Sequence, residues 1–441
     1  MHQATIDGKR FLQEQPFFLL RQQRNQPVIQ DIPGTVRHQL ELSHLKNRLQ
    51  PGARVAVAVG SRGIADLNQL VRATLDTLLA WGMQPFVVAA MGSHGGATAQ
   101  GQAELLASYG ITPERLGVPV STHMETVLLG QNDWNEPVYW DRQAFEADAV
   151  LPIARIKAHT DFTGDFESGL TKMLVIGLGK REGASVHHQY GVRGLRDMLP
   201  LSAQVVVAKT RFLAGLAVIE NAACQLAHIE VVEMEDLFTT EPKLLKLAKS
   251  LAGRLPMAEL DLLVVGELGK NFSGTGMDVH VIGRHMVEGE PEPWQPRVTR
   301  LCVLDVSDES HGNAVGAGLA DLTTQRLLSR RDETITMMNY LTSCFLLRAK
   351  TPFALPTDLA CIAEGVRTCW EPRADKLRMA VIPNTLEITE LWVSTALHQS
   401  VQQRSDLEVV DCRPHLPFSE DGQLRLDLLF PRIRRFRSHA S

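Results

Sequence analysis

The fold is decided by residues 54–98, RVAVAVGSRGIADLNQLVRATLDTLLAWGMQPFVVAAMGSHGGAT. Its two short apolar runs, VAVAV and FVVAA, are bounded by glycine and proline and predict strands buried on both faces of a parallel sheet. Between them, apolar residues recur every three to four positions over 67–79, which predicts a helix with Asp66 as its N-cap. A second helix is predicted over 97–109. This order of strands and helices is typical of a doubly wound α/β domain.

The same alternation continues along the chain and predicts a second domain. A further buried strand is expected at 149–155, AVLPIAR, and the pattern restarts with the apolar run DLLVVGELG at 261–269. The sequence therefore predicts two α/β domains with largely parallel sheets. We place the N-terminal domain at 1–256 and the C-terminal domain at 257–395, and we expect the tail, 396–441, to return to the first domain.

Composition and charge exclude several classes of protein. The chain has 441 residues, of which 44% are hydrophobic and 22% charged, as in soluble globular proteins. Its net charge of −5 provides no overall basic field for nucleic acid. No apolar run reaches the roughly 18 residues of a membrane span, and the six cysteines lack metal-ligand spacing. A cytoplasmic protein with a small-molecule ligand is expected, and the sequence gives no indication of oligomeric state.

Three ionisable residues follow predicted strands directly. Arg62 lies in GSRG, His94 in GSHGG, and His159 just after the strand at 149–155. Because the carboxyl ends of parallel strands meet at one edge of a sheet, where such sheets bind ligands, these residues predict a site. Two histidines there could act as an acid/base pair, since the pKa of histidine lies near neutral pH. A histidine that only braces its loop is the alternative for each.

The segment 155–188, RIKAHTDFTGDFESGLTKMLVIGLGKREGASVHH, concentrates glycine and ionisable groups. Lys172 precedes an apolar run, so it is either a desolvated nucleophilic amine or an ordinary solvated lysine. The glycine run that includes Lys180 fits neither the dinucleotide nor the P-loop fingerprint, although its amides and Lys180 would suit a phosphate. Adjacent histidines on a helix point about 100° apart, so one of His187 and His188 is expected to face a metal.

A second pair of polar residues follows the strand of the C-terminal domain. Lys270 and Asn271 lie in GKNFSG, directly after the apolar run at 261–269. Lys270 could hold a substrate carboxylate as a point charge, or it could be a solvated loop residue.

With these residues assembled, the sequence resembles the nickel-dependent lactate racemase superfamily, as a divergent member. The resemblance is strongest at SRG (61–63), MGSHGGAT (91–98), RIKAHTDF (155–162) and GLTKMLVIGLGKREGA (169–184). It implies two α/β domains with the active site in the cleft between them and a nickel-pincer nucleotide as cofactor. It also implies inversion of the hydroxyl-bearing carbon of a 2-hydroxy acid, an isomerase reaction of the racemase or epimerase type. One departure is Val59, where the racemase itself has an aspartate.

The resemblance also implies a role for each candidate residue. His94 and His159 match the catalytic histidines, Lys172 the cofactor-linking lysine, and His188, or else His187, the nickel ligand. The remaining expectations are cofactor binding by Arg62, Lys180, Gly95 and Gly96, and substrate binding by Lys270 and Asn271.

Two other functions stay open at the level of sequence. A nicotinamide-dependent oxidoreductase could use the same sheet edge, although the glycine fingerprint is imperfect. A non-catalytic homologue that binds a nucleotide or a sugar acid is the other alternative, because Val59 replaces the aspartate.

Overall fold

The computed structural model describes residues 6–61, 63–292, 295–433 and Phe436. These residues form two compact units. The central unit is Gln26–Ala252. The terminal unit combines the described residues of Met1–Asn25 with those of Gly253–Ser441.

The strands of the described chain, numbered in chain order, are β1 (Phe17–Gln22), β2 (Arg54–Val59), β3 (Gln84–Ala89), β4 (Val120–Ser121), β5 (Thr126–Gln131), β6 (Pro137–Asp141), β7 (Ala149–Arg155), β8 (Ala214–Glu220), β9 (Leu226–Glu233), β10 (Glu259–Leu268), β11 (Arg297–Val306), β12 (Leu322–Thr324), β13 (Phe353–Leu355), β14 (Met379–Ile382), β15 (Glu390–Ser394) and β16 (Leu407–Arg413). The α-helices are α1 (Gly8–Glu14), α2 (Ile32–Leu42), α3 (Leu45–Arg48), α4 (Leu67–Ala80), α5 (Ala99–Ser108), α6 (Pro113–Leu116), α7 (Arg142–Phe145), α8 (Leu170–Lys172), α9 (Lys180–His188), α10 (Gly191–Arg193), α11 (Leu199–Lys209), α12 (Leu237–Leu251), α13 (Val279–Ile282), α14 (Gln325–Arg330), α15 (Glu333–Ser343), α16 (Asp358–Thr368), α17 (Thr395–Val401) and α18 (Leu426–Leu429). Short π-helical segments continue α8 (Met173–Gly177) and α10 (Gly194–Met198).

The central unit is built on a sheet in the order β4-β3-β2-β7-β8-β9. The pairs from β4 to β8 are parallel, and β9 is antiparallel to β8. After β2, the chain adds β3 and then β4 on one side of that strand. After β7, it adds β8 and then β9 on the opposite side of the sheet. The strand order therefore reverses between β2 and β7, and a reversal of this kind is where open α/β sheets bind ligands.

The strands and helices at 54–109 agree with the sequence prediction. β2 and β3 are buried beyond their first residues, and α4 buries the predicted apolar stripe against one face of the sheet. The cap differs from the prediction. Asp66 precedes α4 but has φ of 52° and makes no side-chain capping bond, and its carboxylate instead accepts a hydrogen bond from Gln69 Nε2 at 2.8 Å.

The terminal unit has its own mixed sheet, in the order β13-β12-β11-β10-β14-β15-β1-β16. The strands from β13 to β14 are parallel, whereas β15, β1 and β16 pair antiparallel. Here the order reverses between β10 and β14, so the loop after β10 lies at a second topological switch point.

The predicted domain boundaries need correction at both ends of the chain. β1, from the first 25 residues, lies between β15 and β16 in the terminal sheet, so the N-terminus does not belong to the central unit. The tail does not return to the central unit either, because β16 pairs with β1 and Trp392 Nε1 donates to Leu429 O at 2.9 Å. The prediction of α/β units with largely parallel sheets is confirmed. Among the described helices, none combines the length and the apolar character that a membrane crossing requires.

The tail helix α18 offers a matched test of this correction. Leu429 is fully buried in the core of the terminal unit, whereas its neighbour Leu428 is 41% exposed. We expect Leu429→Ala to lower the free energy of unfolding by roughly 2–5 kcal/mol because it opens a cavity. The control, Leu428→Ala, should change it by less than about 0.5 kcal/mol. Calorimetry checks both, and equal small effects would show that the tail does not contribute to the core.

Candidate functional site

The candidate site lies at the carboxyl edge of the central sheet. The loops after β2, β3 and β7 all leave this edge, since the three strands are parallel neighbours in the order β3-β2-β7. His94 lies on the loop after β3 and His159 on the loop after β7. The reversal of strand order between β2 and β7 places this group of loops at the switch point.

The helical segment 170–177 packs directly on the loop after β3. Gly92 N donates a hydrogen bond to Gly177 O at 3.0 Å, and Trp140 Nε1 on β6 donates to Leu174 O at 2.9 Å. A Cβ added at Gly177 would lie 2.7 Å from Ala90 O, so only glycine permits this approach. The segment 155–188 and the loop 91–98 are therefore in direct contact.

His159 and Lys172 form the centre of the site. His159 is buried, and its Nδ1 accepts a hydrogen bond from Asp161 N at 3.1 Å. Its Nε2 lies 2.5 Å from Lys172 Nζ. Two hydrogen-bond donors cannot face each other at this distance, so one proton lies between the two nitrogens. The imidazole and the amine are therefore joined by a hydrogen bond, and the tautomer of His159 determines which of them donates.

Glu167 holds the loop that carries His159. Its buried carboxylate accepts hydrogen bonds from His159 N at 2.6 Å and from Gly164 N at 3.0 Å. Lys249, on α12, forms an ion pair with the same carboxylate at 2.6 Å. Hydrogen bonds to a charged acceptor are among the stronger ones in proteins, so Glu167 fixes the backbone at His159.

Glu241, also on α12, holds the start of the helix that carries Lys172. Its fully buried carboxylate accepts hydrogen bonds from Thr171 N at 2.9 Å and from Thr171 Oγ1 at 2.7 Å. Burial raises the pKa of Glu241 to about 7, and the hydrogen bonds from Thr171 and Leu170 oppose that rise only in part.

His188 lies in the last turn of α9 and is partly buried. Burial, and after it the positive charge of Lys172, lower the pKa of His188 to about 4. At neutral pH the ring is uncharged, which is the form that binds metal ions.

His187 has a different, structural role. It is almost fully buried, and its Nδ1 donates to Gly183 O at 2.9 Å while its Nε2 lies 3.0 Å from Ser202 Oγ. Asn132 Nδ2 donates to the same hydroxyl at 2.9 Å. Both ring nitrogens of His187 are thus engaged, and burial lowers its pKa. His187 is therefore held by its own partners, and a metal-binding role of His188 stays a prediction.

His94 lies at the same edge of the sheet, on the loop after β3. Its exposed ring hydrogen-bonds through Nδ1 to Ser61 Oγ, on the loop after β2, and Tyr109 OH donates to Ser61 O at 2.8 Å. β3 and β7 are separated by β2, so the strands that lead to His94 and His159 lie about 10 Å apart. Arg62, the third residue predicted for this edge, lies outside the described residues.

The prediction that Lys180 binds a cofactor phosphate is wrong. Lys180 is completely buried, and its Nζ forms an ion pair with Asp141 at 2.9 Å and donates to Ala89 O at 2.6 Å. A buried ammonium that is paired in this way is not available to a ligand. The run joins the helical segment 170–177 to α9 and does not follow a strand, so it is not a dinucleotide turn either.

The two glycines of the His94 loop shape its backbone. Gly95 and Gly96 have φ values of 65° and 66°, in the left-handed region that favours glycine. A Cβ at Gly95 would lie 2.7 Å from Gln102 N, so this residue lets the loop pack on α5. Gly96 is exposed with open space around it, and its role in cofactor binding stays a prediction.

Lys270 and Asn271 lie in the terminal unit, on the loop after β10. Lys270 Nζ donates to Gly274 O at 2.6 Å, and Asn271 Oδ1 accepts from Ser307 Oγ at 2.7 Å. Both residues therefore belong to a polar network at the second switch point. Their role in substrate binding stays a prediction.

The described residues contain no group of three histidine, cysteine or acidic side chains that could hold a metal ion by itself. A metal beside His188 would therefore need ligands other than a cluster of these side chains. A neutral His188 fits a cofactor that carries its other metal ligands itself.

Sequence reasoning missed the residues that fix this geometry. Glu167 lies within the segment 155–188, eight residues after His159, but no pattern in the sequence assigns this carboxylate a role. Glu241 is 70 residues from its partner Thr171, in a helix that the sequence presents as an ordinary amphipathic one. No local pattern could identify it.

Comparison with known proteins gives distant similarities of structure only. No protein-family model matches the sequence, and no curated protein matches it. The chain is similar to the lactate racemase apoprotein from Thermoanaerobacterium thermosaccharolyticum, with a TM-score of 0.45 and 11% identity over 76% of this chain and 93% of that one. It is also similar to a protein from Thermotoga maritima, with a TM-score of 0.44 and 14% identity over 62% of this chain and 69% of that one. Similarity at this level does not show which reaction this chain catalyses.

The structural role of Lys180 can be tested against its exposed neighbour. Lys180→Met leaves the buried carboxylate of Asp141 without its cation, so we expect a loss of roughly 3–5 kcal/mol in the free energy of unfolding. Arg181→Met, at an exposed position, should change it by less than about 0.5 kcal/mol. Urea denaturation measures both. A stable Lys180→Met protein that binds nucleotides poorly would instead support the phosphate interpretation.

Glu241 makes stability depend on pH with a definite sign. Because its pKa rises from 4.5 to about 7 on folding, the folded state binds this proton more tightly than the unfolded state does. Its contribution to the free energy of unfolding is therefore retained below pH 4.5 and is lost as pH rises to about 7, by roughly 3 kcal/mol in total.

Glu241→Gln removes this titration and keeps a hydrogen-bond acceptor. The difference in free energy of unfolding between the variant and the wild type should therefore shift in favour of the variant from pH 4 to pH 8. Denaturant titrations across that range measure the difference, which cancels the contributions of other groups. A difference that is independent of pH would contradict the raised pKa.

Proposed function

We propose that this chain is an isomerase that inverts the hydroxyl-bearing carbon of a 2-hydroxy acid with the help of a nickel-pincer nucleotide. The observation that carries the proposal is the 2.5 Å contact between His159 Nε2 and Lys172 Nζ, together with a His188 ring that is uncharged at neutral pH. These residues are separated in sequence, and the resemblance assigns them to proton transfer, cofactor attachment and nickel binding, respectively. These two features support one site in which the three roles could be combined.

Within this proposal, His188 is the protein ligand of nickel and Lys172 holds the cofactor. His188 is uncharged at neutral pH, so a ring nitrogen has a lone pair to offer, and His187 is excluded because both of its nitrogens are hydrogen-bonded. When bound, the cofactor would supply the hydride chemistry at carbon 2.

The two histidines would handle the proton of the substrate hydroxyl. Nε2 of His159 is hydrogen-bonded to the amine of Lys172, and an imidazole nitrogen in such a contact can take up or release a proton. His94 lies on a loop two strands away, with its Nδ1 bound to Ser61. A substrate between the two loops could lose its proton to one histidine and regain one from the other. This arrangement suits inversion, in which the two faces of the carbon are treated alike.

Arg62 and Lys270 would bind the cofactor and the substrate. Arg62 stays a candidate for cofactor binding next to Ser61, and Lys270 stays a candidate for the substrate carboxylate. Lys180 is removed from the set because it is a buried structural residue. A nicotinamide-dependent oxidoreductase is disfavoured, since the glycine run follows a helix rather than a strand.

The test is inversion of 2-hydroxy acids by nickel-loaded protein, made in cells that also produce the cofactor. We expect epimer formation with at least one acid of a panel and a loss of at least about 100-fold in kcat for His94→Ala and for His159→Ala, as expected when an acid/base group is removed. Activity that persists in metal-stripped protein would contradict the proposal. Tight ligand binding without inversion would identify the non-catalytic alternative.

Nickel content provides a second test that does not depend on activity. His188→Ala should abolish bound nickel while the melting temperature stays close to that of the wild type, because the side chain is only partly buried. Gln189→Ala, at the next, exposed position, is the matched control and should retain nickel. Elemental analysis of purified protein measures both, and full nickel content in His188→Ala would exclude this residue as the ligand.

A further inference from the structure

Glu241 is a carboxylate that core packing does not explain. It is fully buried on α12, and the influences on its pKa besides burial are hydrogen bonds from Thr171 and Leu170. Burying a carboxylate without a compensating cation costs free energy, and an apolar residue at this position would avoid that cost. The hydrogen bonds from Thr171 and Leu170 oppose the effect of burial only in part.

We propose that Glu241 is a positioning residue for the His159–Lys172 pair. By binding Thr171, it fixes the first turn of the helical segment 170–177 and thereby the distance from Lys172 Nζ to His159 Nε2. The effect on catalysis rests on the proposed function, whereas the effect on the contact itself does not.

The local geometry gives Glu241 direct control of this turn. The first N–H groups of a helix have no partner within the helix, and Glu241 Oε2 accepts from both the backbone and the hydroxyl of Thr171. A Cβ added at Gly169 would collide with Glu241 Oε1, so the carboxylate also packs on the backbone immediately before the turn. Lys172 follows Thr171 directly, and a shift of this turn moves its amine.

α12 fixes the other half of the pair as well. Lys249, two turns after Glu241, pairs with Glu167 at 2.6 Å, and Glu167 in turn binds His159 N at 2.6 Å. One helix thus holds the backbone of His159 through one carboxylate and the helix of Lys172 through another. A contact as short as 2.5 Å between two side chains requires that the backbone of both residues be held rigidly, and α12 holds both.

The test pairs disruptive variants with conservative ones at both ends of the hydrogen bond. Glu241→Leu removes both hydrogen bonds to Thr171, and Thr171→Val removes the one from its hydroxyl. Glu241→Gln and Thr171→Ser keep an acceptor oxygen and a hydroxyl, respectively. Leu245→Ala, a buried residue of the same helix, controls for general loss of stability. All five variants and Lys172→Met are compared with the wild type.

The first readout is the ¹⁵N chemical shift of the His159 ring in full-length protein labelled at histidine, assigned by its absence in His159→Gln. We expect Glu241→Leu and Thr171→Val to move this signal toward its position in Lys172→Met. The conservative variants and Leu245→Ala should leave it near the wild-type position. A signal that stays at the wild-type position in both disruptive variants, despite a lower melting temperature, would overturn the proposal.

The second readout is turnover of the nickel-loaded enzyme. Thr171→Val should lower kcat by about tenfold to a hundredfold, the effect of misplacing a reacting group by about 1 Å, with KM within about twofold. Thr171→Ser should restore most of kcat. An equal loss in Thr171→Ser and Thr171→Val would contradict positioning through the hydroxyl. If the wild type inverts no acid, the proposed function fails, while the ring signal of His159 still decides the positioning role.

Discussion

The arrangement of the site depends on the burial of two carboxylates beside α12. Glu167 and Glu241 are both almost inaccessible to solvent, and each accepts hydrogen bonds from backbone N–H groups of the segment that contains His159 and Lys172. A loop of this length would otherwise sample many conformations, and ordering it costs conformational free energy. Strong hydrogen bonds to buried carboxylates offset that cost. The 2.5 Å contact between His159 and Lys172 is the result.

The sheet explains why the residues meet where they do. Parallel strands leave their loops at one edge, and the reversal of order between β2 and β7 separates neighbouring loops enough to admit a ligand. Helix 170–177 lies against the end of β3 through a glycine contact, so the segment after β7 and the loop after β3 form one surface. The terminal unit repeats the arrangement at β10, where Lys270 and Asn271 lie.

Lys180 and His187 have structural roles for the same physical reason. Lys180 and His187 both resemble ligand-binding residues in the sequence, and both are structural because buried partners engage them: Asp141 and Ala89 in one case, Gly183 and Ser202 in the other. A polar residue in a glycine-rich segment has the same appearance in sequence whether it faces a ligand or the interior. The direction in which its side chain points depends on helix phase and on partners that are distant in the chain.

The sequence alone determined the alternation of strands and helices, the α/β class, and the strand-end positions of His94 and His159. These features follow from local hydrophobic periodicity and glycine placement, which each segment carries by itself. Tertiary structure decided the rest: the hydrogen bonds at both ring nitrogens of His187, the burial of Lys180, the pairing of the tail with β1, and the hydrogen bonds of Thr171 to Glu241. Each of these depends on contacts between residues far apart in the chain, and such contacts leave no periodic signal in the sequence.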